Sequence, residues 1–325
     1  MAENHPPAAS SGLHHITAIA GDAQRNLDFY TGVLGQRLVK KTVNFDDPGT
    51  YHFYFADEVG SAGTVLTFFP FAGARRGVRG SGEATAVAYN VAADALPDWQ
   101  ARLARLGIDA VASERFGAPL LTFADPDDMA VELVGSAQPP QVRHWQGGPV
   151  GEEMALRGFY GTTLQVRNAA PSAALLRDSF GWHEVAREGN RRRFAAGAAA
   201  PQGNAAPGQF VDIVELPSLP AGRQGAGSIH HIAFRAADDG AQAAWQRHLA
   251  AAGLGVTDVR DRQYFRSIYF REPNGVLFEI ATDGPGFLWD EPIEALGSAL
   301  RLPPWLEPQR TRIEASLPAL QVVGV

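Results

Sequence analysis

Two segments that each carry a pair of adjacent histidines constrain this chain most strongly. Residues 227–234 read Gly-Ser-Ile-His-His-Ile-Ala-Phe, and residues 12–17 read Gly-Leu-His-His-Ile-Thr. Both are short, open with glycine and are apolar apart from their polar insertions, which is typical of a β-strand. A single strand of this kind would indicate nothing specific. Two in matching contexts, more than two hundred residues apart, indicate duplicated units that share one site.

The order of strands and helix predicted around these two segments occurs four times along the chain. Each repeat is a βαβββ unit, and the four units run over about residues 12–70, 84–135, 158–217 and 227–283. In the fourth unit the strands after the helix are predicted at 256–261, 265–270 and 276–282. A period of about seventy residues exceeds that of common solenoid repeats. The predicted fold class is therefore α+β, with modules paired into two cups.

Proline and glycine mark the predicted domain organisation. Residues 1–136 hold the N-terminal pair of units, 137–157 form a linker, 158–284 hold the C-terminal pair and 285–325 form a wrapping tail. Residues 1–11 are expected to be a loose arm, and the Ala/Gly/Pro-rich segment 196–209 a flexible loop.

Composition excludes several function classes. The chain has no cysteine, which rules out disulfides, thiolate catalysis and Cys-based metal sites. A formal net charge of −7 without a long basic run argues against a nucleic-acid partner. No segment is long and apolar enough to span a bilayer, and no signal segment is recognisable. We expect a cytoplasmic protein without a membrane partner, and the sequence leaves a homo-oligomer open.

Histidine and carboxylate are the metal ligands available to a chain without cysteine. Glu279 lies within the apolar run 276–281, where an unpaired carboxylate would be costly to bury. A metal ion would offset that cost. Two histidines and one carboxylate with open coordination positions are the arrangement used by non-haem Fe(II) oxygenases.

Strand alternation predicts which histidine of each pair faces the site. Successive side chains on a strand point to opposite faces, so the members of each pair are expected to point apart. Ile16, Ile232 and Phe234 share the faces of His14 and His230. These bulkier faces should pack against the helices, which leaves the other member of each pair, His15 and His231, facing the cup.

The whole pattern resembles the vicinal oxygen chelate superfamily and, within it, the ring-cleaving dioxygenases that act on hydroquinones. The motifs that carry the likeness lie at residues 13–17, 29–30, 66–70 and 302–307. The resemblance implies Fe(II), or alternatively Mn(II) or another divalent metal, bound by His15, His231 and Glu279. It also implies substrate-site residues at five further positions: His14, Thr17, His230, Arg262 and Tyr269.

The implied activity is extradiol-type ring cleavage of a small aromatic substrate, a substituted hydroquinone, by O2. Open metal positions would bring substrate and O2 together. Thr17, Arg262 and Tyr269 are expected to bind the substrate, and Arg262 would stabilise developing negative charge. The proton-transfer candidates are His14, His230 and Tyr269.

The distribution of the ligands predicts how the units pair. The first unit supplies His15, whereas the fourth supplies His231 and Glu279, so these two units should share the metal cup. Units two and three should then pair in a metal-free cup, since their first strands at 84–91 and 162–166 lack histidine. Glu132 corresponds to Glu279 in position, but we expect a structural or relic role for it.

Two other functions remain open on the same scaffold. A glyoxalase-type isomerase or lyase usually needs a second carboxylate on the metal, and the corresponding segment of unit one reads Phe68-Phe69. A non-catalytic binding or resistance protein would not need the complete ligand set. Two further sites stay outside the constellation: the run 191–193 of three arginines is expected to be a solvated hairpin turn, and His52 has no predicted role.

Overall fold

A computed structural model describes residues 7–197 and 206–321 of the chain. Residues 1–6 of the predicted arm and 198–205 of the predicted flexible loop lie outside the described residues. Within the described part, the four βαβββ units and the α+β class are confirmed.

Each unit contributes one strand, one helix and three further strands. Unit one comprises β1 Leu13–Ala20, α1 Ala23–Asp28, β2 Arg37–Asn44, β3 Asp47–Ala56 and β4 Val65–Pro70. Unit two comprises β5 Glu83–Ala92, α2 Leu96–Arg105, β6 Val111–Arg115, β7 Ala118–Ala124 and β8 Ala130–Ser136.

The C-terminal half repeats this order. Unit three comprises β9 Phe159–Val166, α3 Ala169–Ala174, β10 His183–Glu188, β11 Arg191–Ala195 and β12 Phe210–Glu215. Unit four comprises β13 Ile229–Ala236, α4 Asp239–Ala251, β14 Arg260–Asp261, β15 Arg266–Arg271 and β16 Leu277–Thr282, and the tail carries α5 Arg310–Ser316. Helices α1 and α3 both continue into a π-helical turn, at Phe29–Val33 and Leu175–Ser179.

The strands form two eight-stranded sheets. The order in the first is β14-β15-β16-β13-β1-β4-β3-β2, and in the second β10-β11-β12-β9-β5-β8-β7-β6. The first sheet thus joins units one and four through the antiparallel pair β1/β13, and the second joins units two and three through β5/β9. The first sheet is therefore built from the first and last units of the chain and the second from the two middle units, which is the pairing inferred from the ligand positions.

Each unit buries one large aromatic side chain from its helix or the turn after it. These residues are Tyr30, Trp99, Trp182 and Trp245, all among the largest fully buried side chains. They belong to one continuous apolar cluster that includes strands of both sheets. At about 25 cal/mol per Å2 of apolar area removed from water, burial of such large side chains stabilises the packing of the helices. The faces turned away from the helices remain available for polar side chains.

Two buried carboxylates tie the sheets together at corresponding turns. Asp125 accepts hydrogen bonds from two turn amides and, at 3.0 Å, from the hydroxyl of Tyr30 in unit one. Glu272 likewise accepts two turn amides and the hydroxyl of Ser172 in unit three. Burial raises the pKa of both carboxyls, that of Asp125 to about 6. The Asp-Pro and Glu-Pro turns are therefore equivalent joints between a unit of one sheet and a unit of the other.

Two predictions are wrong in this part of the molecule. The strand predicted at 256–261 is reduced to Arg260–Asp261, because the Tyr269 amide donates to the Thr257 hydroxyl in place of a backbone carbonyl. The arginine run at 191–193 is not a solvated turn, since it lies within β11 and Arg193 is buried. Its guanidinium is paired with the carboxylate of Asp212 on the neighbouring strand at 2.7 Å.

Among the residues that the structure covers, no helix is long and apolar enough to cross a membrane.

Candidate metal centre and its cavity

Three side chains from three strands of the first sheet converge on one buried point. One ligand atom each from His15 on β1, His231 on β13 and Glu279 on β16 lie within 4.8 Å of one another. Glu279 Oε2 is 2.9 Å from His231 Nε2 and 3.3 Å from His15 Nε2. Across the described ranges, this is the one cluster of three or more such groups with metal-ligand spacing.

Two β-bulges correct the prediction that the histidines of each pair point to opposite faces. The β1/β13 register slips by one residue at His14 and again at His230. A bulge inserts an extra residue into one strand and locally suspends the alternation of side chains. As a result the Nδ1 atoms of His14 and His15 lie 2.9 Å apart, and those of His230 and His231 lie 2.7 Å apart.

These close contacts give each pair a defined chemical relationship. A histidine whose Nε2 faces a cation carries its proton on Nδ1 and donates that N–H to a neighbouring acceptor. His14 Nδ1 and His230 Nδ1 are placed to be the acceptors. Burial, followed by the adjacent histidine, lowers the pKa of His14 and of His230 to about 3. Both outer rings are therefore neutral at neutral pH, as an acceptor must be.

The environment of Glu279 fits a cation better than it fits a lone carboxylate. Its side chain is fully buried, Oε1 accepts a hydrogen bond from the Ser267 hydroxyl, and Oε2 has no hydrogen bond of normal geometry among the described residues. Burial raises the pKa of Glu279, but the charges and hydrogen-bonding capacity of His15 and His231 outweigh it, and the net pKa is well below the ordinary value. An ionised, orphaned carboxylate oxygen in the interior calls for a positive partner.

The ligand spacing also fits one divalent ion. Ligand atoms at about 2.0–2.2 Å from an ion lie roughly 3 Å apart when they share one face of its coordination sphere. The two separations from Glu279 Oε2, 2.9 and 3.3 Å, match this spacing. Two neutral imidazoles and one carboxylate suit Fe(II), Mn(II) and other divalent transition metals alike.

A cavity of about 290 Å3 opens beside these groups. An apolar cavity of about 150 Å3 can hold a benzene ring, so this one admits a substituted single ring. Apart from the aliphatic Leu277, the side chains that line it are aromatic or polar: His15, Thr17, Asn44, Phe45, Asp46, His52, Tyr54, Phe69, Phe71, His230, His231, Arg262, Phe265 and Tyr269.

Arg262 and Tyr269 form the charged and phenolic part of the wall. The Arg262 Nε donates to the Tyr269 hydroxyl at 3.1 Å, and Nη1 donates to Asp46 at 3.1 Å across the unit boundary. Tyr269 is the register partner of Glu279, which sets its ring 5.7 Å from that of His231. Burial raises the pKa of Tyr269, so the phenol remains protonated at neutral pH. Because its oxygen accepts from Arg262, its O–H can be donated to a ligand.

Seven of the eight predicted site residues meet at this place, and one lies behind it. Thr17, His230, Arg262 and Tyr269 line the cavity beside the three convergent ligand atoms. His14 is buried and contacts His15 and Phe265 without lining the cavity.

Sequence reasoning missed several residues of unit one. His52 and Tyr54 line the cavity from β3, and Phe69 and Phe71 line it from β4 and its end. Residues 51–55 read Tyr-His-Phe-Tyr-Phe, which predicts a strand but not the face that each side chain occupies. That face became visible only when β3 was placed beside β4 in the sheet.

The register identifies the true counterpart of Glu279 in unit one. Thr17 pairs with Thr67 on β4 in the way that Ala233 pairs with Glu279 on β16. The prediction that Phe68-Phe69 occupies this position is therefore wrong by one residue, because Phe68 points into the core. The position still carries no carboxylate.

The chain belongs to the Glyoxalase/Bleomycin resistance protein/Dioxygenase superfamily. Residues 12–133 and 160–280 match the sequence profile of that family.

The resemblance to ring-cleaving dioxygenases is confirmed by relatives that cover nearly the whole chain. MhqO of Bacillus subtilis (strain 168), named as a candidate ring-cleaving dioxygenase, is 46% identical over 313 residues, which is 96% of this chain and 97% of MhqO. The chlorohydroquinone/hydroquinone 1,2-dioxygenase of Sphingobium indicum is 39% identical, over 93% of this chain and 94% of the length of that enzyme. A crystal structure of a candidate dioxygenase from Bacillus subtilis superimposes with a TM-score of 0.92 at 45% identity, covering 98% of this chain and 99% of that one.

Proposed function

We propose that the protein is a metal-dependent dioxygenase that cleaves the ring of a substituted hydroquinone. The observation that carries this proposal is the convergence of His15, His231 and Glu279 at the wall of a cavity sized for one aromatic ring. The ligands would hold Fe(II), with Mn(II) as the alternative. When bound, the metal would supply redox chemistry and sites where substrate and O2 meet.

The side chains of the protein would bind and orient the substrate and supply protons to it. Arg262 offers a permanent positive charge to an ionised hydroxyl or to negative charge that develops on the ring. Tyr269 holds a phenolic proton beside it, placed by the Arg262 contact at 3.1 Å. His230 leaves Nε2 for the cavity, since its Nδ1 faces His231. His14 orients His15 from behind the cavity.

The proposed reaction is balanced without a further reductant. One carbon–carbon bond of the ring breaks, both atoms of O2 enter the product, and the aromatic diol supplies the electrons. The name of the Sphingobium relative specifies the 1,2 position. For this chain we therefore propose cleavage between a hydroxyl-bearing carbon and its neighbour, the extradiol-type outcome.

The alternatives find less support. A glyoxalase-type isomerase would use a second carboxylate, and Thr67 occupies the position equivalent to Glu279. A binding or resistance protein would have no need of an ionised carboxylate oxygen left without a hydrogen bond in the interior. A cytoplasmic location, a homo-oligomer and the domain boundaries remain predictions.

Oxygen uptake by protein loaded anaerobically with Fe(II) tests the proposal. We expect one O2 consumed per hydroquinone or chlorohydroquinone, and a product that carries both atoms of 18O2. Parallel loading with Mn(II) compares the two metals. Conversion of the methylglyoxal–glutathione hemithioacetal without O2 uptake would favour the isomerase instead, and a metal-loaded protein inert towards every hydroquinone would refute the proposal.

A further inference from the structure

Four side chains of unit one form a hydrogen-bonded chain, and only the last of them, Thr17, has an expected role above, in binding the substrate. The Tyr54 hydroxyl lies 2.9 Å from His52 Nδ1, and His52 Nε2 lies 2.8 Å from Thr67 Oγ1. Thr67 Oγ1 lies 2.9 Å from Thr17 Oγ1. Because Tyr54, His52 and Thr17 all line the cavity, the chain runs along its wall.

The sheet register explains why these residues meet. Thr67 on β4 is the register partner of Thr17 on one side and of Tyr54 on the other. His52 lies two residues before Tyr54 on β3, so both side chains occupy the same face. Thr17 lies two residues after His15 in a regular part of β1. The chain therefore ends beside the candidate metal ligands.

Burial fixes the direction in which the hydrogens point. The Tyr54 hydroxyl has no partner other than His52 among the described residues, and the side chain is only 1% exposed. A buried O–H without an acceptor is costly, so Tyr54 donates to His52 Nδ1. A neutral imidazole that accepts at Nδ1 carries its hydrogen on Nε2. His52 then donates to Thr67.

The neutral state of His52 follows from its surroundings. Burial, followed by the nearby His15, His231 and Arg262, holds the pKa of His52 well below its ordinary value. Burial also raises the pKa of Tyr54 well above its ordinary value, so the phenol keeps its proton. Thr67 in turn donates to Thr17, whose own hydrogen has no acceptor within the part of the chain that the structure describes.

We propose that Tyr54, His52 and Thr67 are positioning residues that make Thr17 a hydrogen-bond donor towards the cavity. The donor selects an oxygen atom that accepts, such as an ionised hydroxyl on an aromatic ring, over a group that can only donate. The identity of this ligand rests on the proposed function. The direction of the hydrogen-bonded chain does not, and the two can be tested apart.

The tautomer of His52 tests the chain without metal or substrate. Long-range 1H–15N spectra of the protein labelled in histidine nitrogen distinguish Nδ1-protonated from Nε2-protonated rings, and His52→Gln assigns the signal. We expect His52 to be Nε2-protonated, and Tyr54→Phe to shift it towards a mixture of tautomers. Nδ1 protonation of His52 in the unsubstituted protein would overturn the proposal, whatever the protein binds.

A double-mutant cycle tests whether Tyr54 acts through Thr17. The measurement is the Kd of hydroquinone for anaerobic Fe(II)-loaded protein. Thr17→Val should raise Kd by about 10-fold and Tyr54→Phe by about 5-fold, as expected for a lost hydrogen bond to a charged acceptor. In the Thr17→Val background, Tyr54→Phe should add less than about 2-fold.

Tyr51→Phe is the matched control, because the Tyr51 hydroxyl lies on the same strand but donates to the Pro318 carbonyl away from the cavity. It should leave both the tautomer and Kd unchanged. An equal loss on Tyr54→Phe with and without the Thr17 hydroxyl would refute action through Thr17. Absence of hydroquinone binding in the unsubstituted protein would refute the proposed function, while the tautomer result would still decide the direction of the chain.

Discussion

The two sheets have the same architecture but place different side chains around the buried carboxylates at their centres. In the first sheet His15 faces Ala233 and Thr17 faces His231 across the central pair of strands. In the second, Ala86 faces Thr163 and Ala88 faces Gly161 in the same register, with bulges at the same two points. The bulges therefore belong to the fold, and only the side chains placed on them distinguish the candidate metal centre.

In the second sheet, arginine side chains bind the buried carboxylates, whereas in the first sheet the corresponding place is the candidate metal site. The counterparts of Thr67 and Glu279 are Glu132 and Asp212. Glu132 is bound by both terminal nitrogens of Arg115, at 2.7 and 2.8 Å. Asp212 is bound by Arg193, which stands at the register position of Tyr269. Each buried carboxylate is thus paired with the guanidinium of an arginine side chain, and Arg115 is the structural partner of Glu132.

One glycine shows how far the second sheet has departed from a ligand site. A Cβ atom added at Gly161, the counterpart of His231, would lie 2.2 Å from the carbonyl oxygen of Phe210. No side chain fits there without movement of the backbone. The comparison teaches that a buried carboxylate in this fold needs a positive partner, and that the choice of partner separates a candidate active site from a structural one.

The largest expected effect is on removal of a histidine ligand. His15→Ala or His231→Ala should weaken Fe(II) binding by about 10²- to 10³-fold, because each contributes a share of the total binding energy. Ring cleavage should fall in parallel. The matched control is His183→Ala, since His183 is exposed on β10. Metal affinity from competition with a chelator is the measurement, and unchanged affinity in either variant would remove that residue from the ligand set.

Tyr269→Phe should come next, with an effect on turnover alone. The change keeps the ring and removes the hydroxyl that Arg262 contacts. Loss of one such interaction, felt mainly in the transition state, should lower kcat by about 10²-fold with metal content unchanged. Steady-state O2 consumption at saturating hydroquinone is the measurement. Turnover equal to that of the unsubstituted protein would leave Tyr269 as a wall of the cavity.

In the second sheet, Asp212→Asn should affect stability but not the metal. It leaves the buried guanidinium of Arg193 without its carboxylate, which should lower the free energy of unfolding by about 3 kcal/mol. Urea unfolding measures this effect. Asp178→Asn, which alters an exposed ion pair with Arg177, should produce no measurable change. Loss of metal on Asp212→Asn would contradict the separation of the two sheets.

The smallest expected effect concerns the joint between the sheets. Burial in the folded protein raises the pKa of Asp125 to about 6. The folded protein therefore binds a proton at this carboxyl more tightly than the unfolded chain does. The free energy of unfolding should therefore gain about 1 kcal/mol from this group as pH falls from about 7 to about 5. Asp125→Asn should remove that gain, as chemical denaturation at several pH values would reveal. Parallel pH profiles for both proteins would contradict the assignment.

Features that recur along the chain can be predicted from the sequence, whereas features that need a residue on a distant strand cannot. The recurring histidine pairs and the spacing of Glu279 predict the four units, the sheet pairing and the convergence of the candidate ligands. The orientation of His14 could not be predicted, because a bulge overrides the two-residue alternation. The burial of Arg193 depends on its ion pair with Asp212, and the role of His52 depends on its hydrogen bond to Thr67. Each partner lies on a different strand, which becomes a neighbour only in the folded sheet.

Metal stoichiometry tests the central claim most directly. Protein loaded with excess Fe(II) under anaerobic conditions and then desalted should retain one iron per chain. Glu279→Gln should retain none, whereas Glu132→Gln, the same change at an equivalent position of the second sheet, should retain one. Iron bound by Glu279→Gln, or lost from a folded Glu132→Gln protein, would contradict the assignment of the first sheet as the metal centre.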